Sequence, residues 1–177
     1  MKTFALPALL ALLFCTSCSP RLSPLTQRIV EEQGWGSDEF QRIQFYLSED
    51  LVLERELREG MTRISNGKVQ IVNGREVERV FFAENTPGVY SFSPKSQRLA
   101  ISFEADNENV LIFGPNPGQG GRYVLLAQDW NNRFGQVTYA GRTWRVSTAD
   151  AAAALLIPLK RLRQQEVKGR TVSGRKL

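Results

Sequence analysis

The chain has 177 residues, of which 42% are hydrophobic and 23% charged, and its net charge is +5. This composition fits one globular domain and excludes a fully disordered chain. There is no histidine, and the two cysteines, Cys15 and Cys18, both lie near the N-terminus. Disulfides, thiol catalysis, Cys/His zinc sites and histidine-based triads are therefore excluded from the rest of the chain, and no metal or cofactor is expected.

The N-terminus has the layout of a secretion signal. Lys2 precedes an apolar run over residues 4–14, which is shorter than the roughly 20 residues needed to span a bilayer. Small polar residues follow, directly before Cys18. We therefore expect residues 1–17 to be a cleaved signal peptide. An ordinary signal peptide without lipid, or an uncleaved apolar segment, would show the same charge and hydropathy pattern.

Residues 1–18 resemble the N-termini of bacterial lipoproteins, in which a short apolar core precedes a lipobox that ends in cysteine. Cys18 matches the lipidated position and Ser17 the small residue before it, whereas Cys15 stands where leucine is usual. The resemblance implies that Cys18 carries acyl (palmitate-type) chains, and two or more chains give stable membrane anchoring. Ser19, rather than aspartate, follows the cysteine, which implies the outer membrane; its periplasmic and outer faces both stay open.

A short helix is the first predicted element after this region. Residues 18–23 comprise the lipidated cysteine and a tether whose last five residues reach about 17 Å. A helix is expected over residues 24–33, with Ser23 as its N-cap and Gly34 as its C-terminal stop. Residues 24–177 are expected to form a single domain.

From residue 40 onwards short β patterns dominate. Residues 40–47 fit either a helical face or a strand, and we favour a pair of strands at 40–47 and 51–53 around a turn at residues 48–50. Asn-Gly pairs at 66–67 and 73–74 suit two-residue hairpin turns. Further strands are expected at 77–82, 89–92, 99–103, 110–113, 123–126, 136–139 and 143–146.

These closely spaced strands predict a mostly β fold, an antiparallel barrel or sandwich with one short N-terminal helix. A one-turn helix is expected at residues 149–154, because Pro158 prevents a longer one. A strand to residue 162 and a last strand at 166–172 complete the predicted elements.

Two patterns carry enzymatic or ligand-binding alternatives. The glycine-rich segment 114–121 lacks the spacing and the following helix of a dinucleotide site, so a flexible hairpin loop is expected. Acidic side chains could place two carboxylates across a cleft, as glycoside hydrolysis requires. The candidates are Glu49, Asp50, Glu54, Glu56, Glu104 and Asp106. A carboxylate-dependent hydrolase on a β scaffold is therefore one alternative function, and a barrel that binds an apolar ligand is another.

Aromatic, amide and basic side chains cluster between residues 130 and 144. The candidate partner-binding residues are Trp130, Arg133, Phe134, Tyr139 and Trp144. Such side chains stack on sugars and are enriched on recognition surfaces. The competing interpretation is that the two tryptophans close the end of a barrel.

The basic charge is concentrated at the C-terminus. Residues 160–177 contain seven basic residues and one acidic residue, whereas residues 18–159 are slightly acidic. This run is a solvated tail or a contact with anionic headgroups or glycan, and it has no nucleic-acid motif. The sequence as a whole favours a non-catalytic, membrane-anchored envelope lipoprotein that binds a protein or a surface glycan, with no nucleic-acid partner.

Overall fold

A computed structural model of the protein describes residues 21–57, 68–72, 75–105, 109–158 and 160. Short antiparallel strands dominate this part of the chain, which confirms the mostly β prediction. Several predicted features lie outside the described residues. They are the signal peptide and Cys18, both Asn-Gly pairs, Asp106, the basic residues after Lys160 and the predicted strand at 166–172.

One antiparallel sheet has seven strands. They are β1 (Leu22–Pro24), β2 (Phe45–Leu47), β6 (Pro87–Phe92), β7 (Leu99–Ser102), β8 (Val110–Asn116), β9 (Arg122–Leu125) and β13 (Leu155–Pro158). Their spatial order is β1-β13-β2-β6-β7-β8-β9. Alternate residues face the interior, as shown by Phe45 and Leu47 in β2, which are fully buried on either side of the partly exposed Tyr46.

The second antiparallel sheet has six strands. They are β3 (Leu51–Glu56), β4 (Lys68–Val72), β5 (Arg75–Phe82), β10 (Gln128–Asn131), β11 (Phe134–Tyr139) and β12 (Arg142–Ser147). Their order is β10-β11-β12-β3-β5-β4. Val72 is paired with Arg75, so β4 and β5 are neighbouring antiparallel strands.

The predicted N-terminal helix exists but begins later than expected. It is α1 (Gln27–Gln33), and Thr26 rather than Ser23 is its N-cap, with Oγ1 accepting from the Ile29 N–H at 3.3 Å. Ser23 lies in β1 because the next apolar residue, Leu25, is fully buried and donates its N–H to the Leu155 carbonyl. Burial of this strand overrides the local capping preference. Gly34 ends the helix with φ +60°, as predicted.

Three further helical turns connect the strands. They are α2 (Ser37–Phe40) and the 3-10 turns η1 (Pro117–Gln119) and η2 (Asp150–Ala152). The last confirms the predicted one-turn helix at residues 149–154. Phe40 of α2 lies against Tyr90, with ring centroids 5.6 Å apart, and so covers one margin of the core.

Strands form on both sides of residues 48–50, as predicted, but they do not pair with each other. Leu47 is paired with Leu155 in the seven-stranded sheet, and Leu51 with Phe82 in the six-stranded sheet. The turn therefore crosses from one sheet to the other. The Asp50 carboxylate holds this crossing by accepting the Glu84 N–H at 2.7 Å.

The two sheets share one hydrophobic core. Phe82 and Tyr139 of the six-stranded sheet meet with ring centroids 5.4 Å apart, and Phe103 lies 5.7 Å from Phe82 and 6.1 Å from Phe113. In the described ladders neither sheet closes into a barrel, so the sandwich alternative fits. Isolated bridges at Thr26–Arg122 and Val124–Ala154 connect β9 to the chain next to β1 and β13.

Candidate functional site

The hairpin of β10 and β11 carries the aromatic and amide cluster that the sequence predicts. Asn131 is paired with Phe134, which leaves Asn132 and Arg133 as a two-residue turn. Asn132 has φ +55° and Asp129 has φ +47°, and Asn and Asp are among the residues that best tolerate this left-handed backbone. The ladder also shifts register between Gln128 and Asn131, so β10 is an irregular edge strand, and its four residues are exposed.

This irregular edge argues against binding by addition of another strand. A β-bulge twists an edge and interrupts its row of free backbone groups, which is a common protection against edge-to-edge pairing. The side chains on this hairpin, rather than its backbone, are therefore the better candidates for partner recognition.

An open groove of about 480 Å³ lies beside the hairpin. Its lining combines amides, two guanidinium groups, a carboxylate and one aromatic ring. The lining residues are Asp129, Asn131, Asn132, Arg133, Phe134, Gly135, Gln136 and Arg145. A smaller groove of about 260 Å³ shares Gln136 and Arg145 with it and continues towards Glu54 and Glu56.

The two arginines of the groove are held differently. The Arg145 guanidinium lies 4.3 Å from the centre of the Phe134 ring, and its Nη1 is 3.3 Å from Glu56 Oε1. Arg133 is held through its backbone, since its carbonyl accepts the Thr148 N–H at 2.8 Å and the Thr148 hydroxyl at 3.0 Å. The Arg133 side chain is exposed. The Arg145 guanidinium is thus already oriented, whereas the exposed Arg133 side chain extends from a turn whose backbone is fixed.

Trp130 is 47% exposed and lies against a glycine. A Cβ atom at Gly135 would be 3.0 Å from the Trp130 ring and 2.7 Å from Ala127 Cβ. Only the absence of a side chain at Gly135 allows the indole to rest on the β11 backbone. The ring therefore has one supported face while a large part of its surface contacts solvent.

Tyr139 and Trp144 are core residues, exposed by only 3% and 2%. The Tyr139 hydroxyl donates to Glu104 Oε1 at 2.6 Å, and the Trp144 indole donates to the Tyr139 carbonyl at 2.9 Å. Their polar atoms are therefore engaged inside the protein. Of the five candidate residues, Trp130, Arg133 and Phe134 lie together at the surface.

Two groove residues, Gln136 and Arg145, are not among those that the sequence predicts. Gln136 and Arg145 are outward positions of two neighbouring strands, and the register places them opposite each other. Alternation within β11 and β12 indicates that both point away from Val137 and Trp144. It cannot indicate that these two strands pair, which is what joins Arg145 to the predicted cluster.

Two of the candidate catalytic acids, Glu54 and Glu56, line the smaller groove together, but the described candidate acids other than Glu49 each make a structural contact. Glu54 accepts from Arg79 Nε at 2.8 Å, and Glu56 faces Arg145. Glu104 accepts from Asn109 as well as from Tyr139, and Asp50 caps the Glu84 N–H. Glu49 is exposed on the turn between the sheets. These structural contacts give the hydrolase alternative no support, and the aromatic packing between the sheets gives none to an apolar ligand cavity.

The glycine-rich segment is not the flexible loop that the sequence predicts, because residues 114–116 belong to β8 and residues 117–119 form η1. Asn116 Oδ1 accepts the Gly118 N–H at 2.9 Å, and the Gly121 carbonyl accepts the Gln27 N–H at 2.8 Å. The second bond attaches the segment to the start of α1. Its backbone therefore serves the fold.

The described ranges of the chain contain no group of three acidic, histidine or cysteine side chains placed to hold a metal ion. None of the helices there has the length and apolar character to cross a bilayer.

The chain matches no protein-family model, and neither a curated protein nor a solved structure shows significant similarity to it.

Proposed function

We propose that the protein is a non-catalytic envelope lipoprotein, anchored through Cys18 at the outer membrane, that binds an acidic surface glycan in the β10–β11 groove. The observation that supports this proposal is the grouping of Arg133 and Arg145 with amide side chains and the Phe134 ring in one open groove. Enzymatic activity is not part of the proposal.

The arginines, the amides and the aromatic ring of the groove each suit one part of a sugar acid. A guanidinium binds a carboxylate through two parallel hydrogen bonds, and the Asn and Gln amides can both donate to and accept from hydroxyl groups. An aromatic ring offers an apolar surface for the carbon face of a sugar ring. Because Arg145 is already held by Phe134 and Glu56, binding would immobilise less free side chain there.

The glycan proposal is tested by titrating the purified full-length protein with oligogalacturonate, with neutral dextran oligosaccharides as the comparison sugar. We expect binding of the acidic sugar only. Arg133→Ala should weaken it at least about tenfold, because a hydrogen bond between charged groups contributes about 1.5–3 kcal/mol. The matched control is Arg122→Ala, which removes an exposed arginine from the other sheet. Equal binding of both sugars, or an Arg133→Ala variant that binds as well as wild type, would contradict the proposal.

The anchor is tested separately by metabolic labelling with a palmitate analogue, followed by membrane fractionation. We expect wild type to take up the label and to stay with the membranes, and Cys18→Ala to lose both. A wild-type protein that takes no label and is recovered free of membranes would overturn the anchor.

A further inference from the structure

The outward face of the seven-stranded sheet is almost free of charge. Strand pairing places Val89, Ser102 and Val110 in one outward row, and Phe92, Ala100 and Ile112 in the next. Ser102 and Ala100, on the central strand β7, are almost completely buried, so the exposed part of this face lies on the flanking strands. The intervening residues, such as Ile101 and Leu111, are fully buried on the inner face. Among the outward positions of the described strands in this sheet, Arg122, at the beginning of β9, is the charged one.

Two large apolar side chains of this face are open to solvent. Val89 is 41% exposed and Phe92 is 50% exposed, and both belong to β6, inside the sheet rather than at its edge. Contiguous apolar patches on a soluble protein commonly mark contacts with another protein or with a membrane. The exposed apolar side chains of this face therefore favour contact with an apolar partner.

The position of Cys18 in the sequence identifies which partner is nearest. β1 begins at Leu22, so the chain between Cys18 and the folded domain reaches at most roughly 14 Å. β1 is an edge strand of this same sheet, and Leu22 and Pro24 share the outward face with Leu156 and Pro158. A lipid at Cys18 would thus hold this sheet, rather than the six-stranded one, close to the bilayer.

We propose that the outward face of the seven-stranded sheet lies on the lipid surface, with Val89 and Phe92 entering the interface. This inference rests on the lipid anchor proposed above. It also orients the β10–β11 groove, because Gln136 and Arg145 are outward positions of the opposite sheet. The groove then faces away from the membrane, where a glycan can reach it. Because the face is nearly uncharged, the contact needs no anionic lipid.

The test uses the acylated full-length protein in vesicles of phosphatidylcholine alone. Apart from Cys18, whose sulfur the anchor occupies, the expected mature chain has no cysteine, so a single label can be placed by substitution. Phe92→Cys carries an environment-sensitive fluorophore on the proposed contact face. Thr143→Cys, at an exposed outward position of the opposite sheet, is the matched control.

We expect the label at position 92 to shift to the blue on vesicles and to be quenched by lipid-attached quenchers, with no response to added salt. The label at position 143 should show neither effect. Val89→Cys repeats the measurement at a second half-exposed site, so that a folding defect of one variant does not decide the result.

The outcomes separate this inference from the anchor. A protein that is acylated and bound to vesicles, but whose label at position 92 stays in water, overturns the orientation and leaves the anchor standing. A blue shift that follows protein concentration and not lipid shows that a second copy covers the face, which also overturns it. A protein that takes no acyl chain and stays off the vesicles contradicts the anchor and the orientation together.

Discussion

The outward faces of the two sheets differ in the charge that they carry. The outward face of the six-stranded sheet carries the ion pairs of Arg79 with Glu54 and of Arg145 with Glu56, whereas the central outward rows of the seven-stranded sheet carry no charge. An antiparallel sheet with one face in water ordinarily alternates between apolar and polar residues. The six-stranded sheet follows that pattern at Glu54, Glu56, Arg79 and Arg145, although Phe81 on the same face is 61% exposed. The two outward faces therefore differ in charge rather than in whether they expose apolar side chains.

The contrast extends to the interior. In the six-stranded sheet Glu78 is fully buried on the inner face and accepts from Arg55 Nε at 3.1 Å. The Arg55 guanidinium lies 5.4 Å from the centre of the Trp144 ring, and Arg142 Nη1 is 3.9 Å from Glu78 Oε2. The inner face of the seven-stranded sheet has Tyr123 as its largest fully buried side chain. The inner face of the six-stranded sheet therefore carries an ion pair, whereas the described strands of the seven-stranded sheet place no charged side chain on their inner face.

Removal of the buried carboxylate should have the largest effect on stability. Glu78→Ala leaves the Arg55 charge without its buried partner, which typically costs about 3–5 kcal/mol. The control, Glu54→Ala, breaks a partly exposed pair on the outer face of the same sheet and should cost about 1 kcal/mol or less. Urea unfolding of both variants measures the difference. Similar losses for the two would show that the inner and outer pairs are equivalent, contrary to the comparison.

The buried phenol should make stability depend on alkaline pH. Burial, helped by the Glu31 charge, raises the pKa of Tyr123 to about 12 from its ordinary value of 10.0. The unfolded chain releases this proton at about pH 10 while the folded protein keeps it, so the stabilisation is complete below about pH 10 and is lost as the pH rises to about 12.

Wild type should therefore lose about 2–3 kcal/mol more of its free energy of unfolding at alkaline pH than Tyr123→Phe does. Urea unfolding at about pH 9 and about pH 12 measures this loss for wild type and variant. An equal loss in both proteins would mean that Tyr123 is not the group responsible.

A smaller effect on stability is expected from adding a side chain at Gly88, where the inner face of the seven-stranded sheet is tightly packed. A Cβ atom at Gly88 would lie 2.6 Å from Phe103 Cε1 and 2.7 Å from Ile101 Cγ2. Gly88→Ala should therefore destabilise the fold by about 1–3 kcal/mol through overpacking. Gly36→Ala is the control, because its nearest contact would be an ordinary 3.5 Å. A Gly88→Ala variant with the same melting temperature as wild type would show that the neighbouring side chains can move to make room for the added methyl group.

The sequence predicts the strands well wherever alternation is bounded by turn residues. β11 and β12 follow this rule, and they are found at the expected positions. The same alternation places Val137 with Tyr139, and Trp144 with Val146, on one face of each strand. It does not say which face is inner, so the sequence groups Tyr139 and Trp144 with surface residues. Their burial depends on the opposite sheet, which supplies Glu104 to the Tyr139 hydroxyl.

The partner of each strand was the feature least visible in the sequence. Residues on either side of the turn at 48–50 look like a local hairpin, yet Leu47 and Leu51 join different sheets. A tight turn favours a hairpin only when no distant strand buries more apolar surface. Here Leu155 and Phe82 supply those distant partners, and a local pattern contains no information about them.

The sequence by itself determined the β class, the short helix that ends at Gly34, the lipobox-like pattern at Cys18 and the absence of histidine and cysteine chemistry from the rest of the chain. These depend on neighbouring residues or on composition, which the chain carries at every stage of folding. Only the tertiary structure decided that Arg145 joins the groove, that Glu78 is buried and that an uncharged face lies on the side of β1. Alternation defines two faces for every strand, and long-range pairing decides what each face meets.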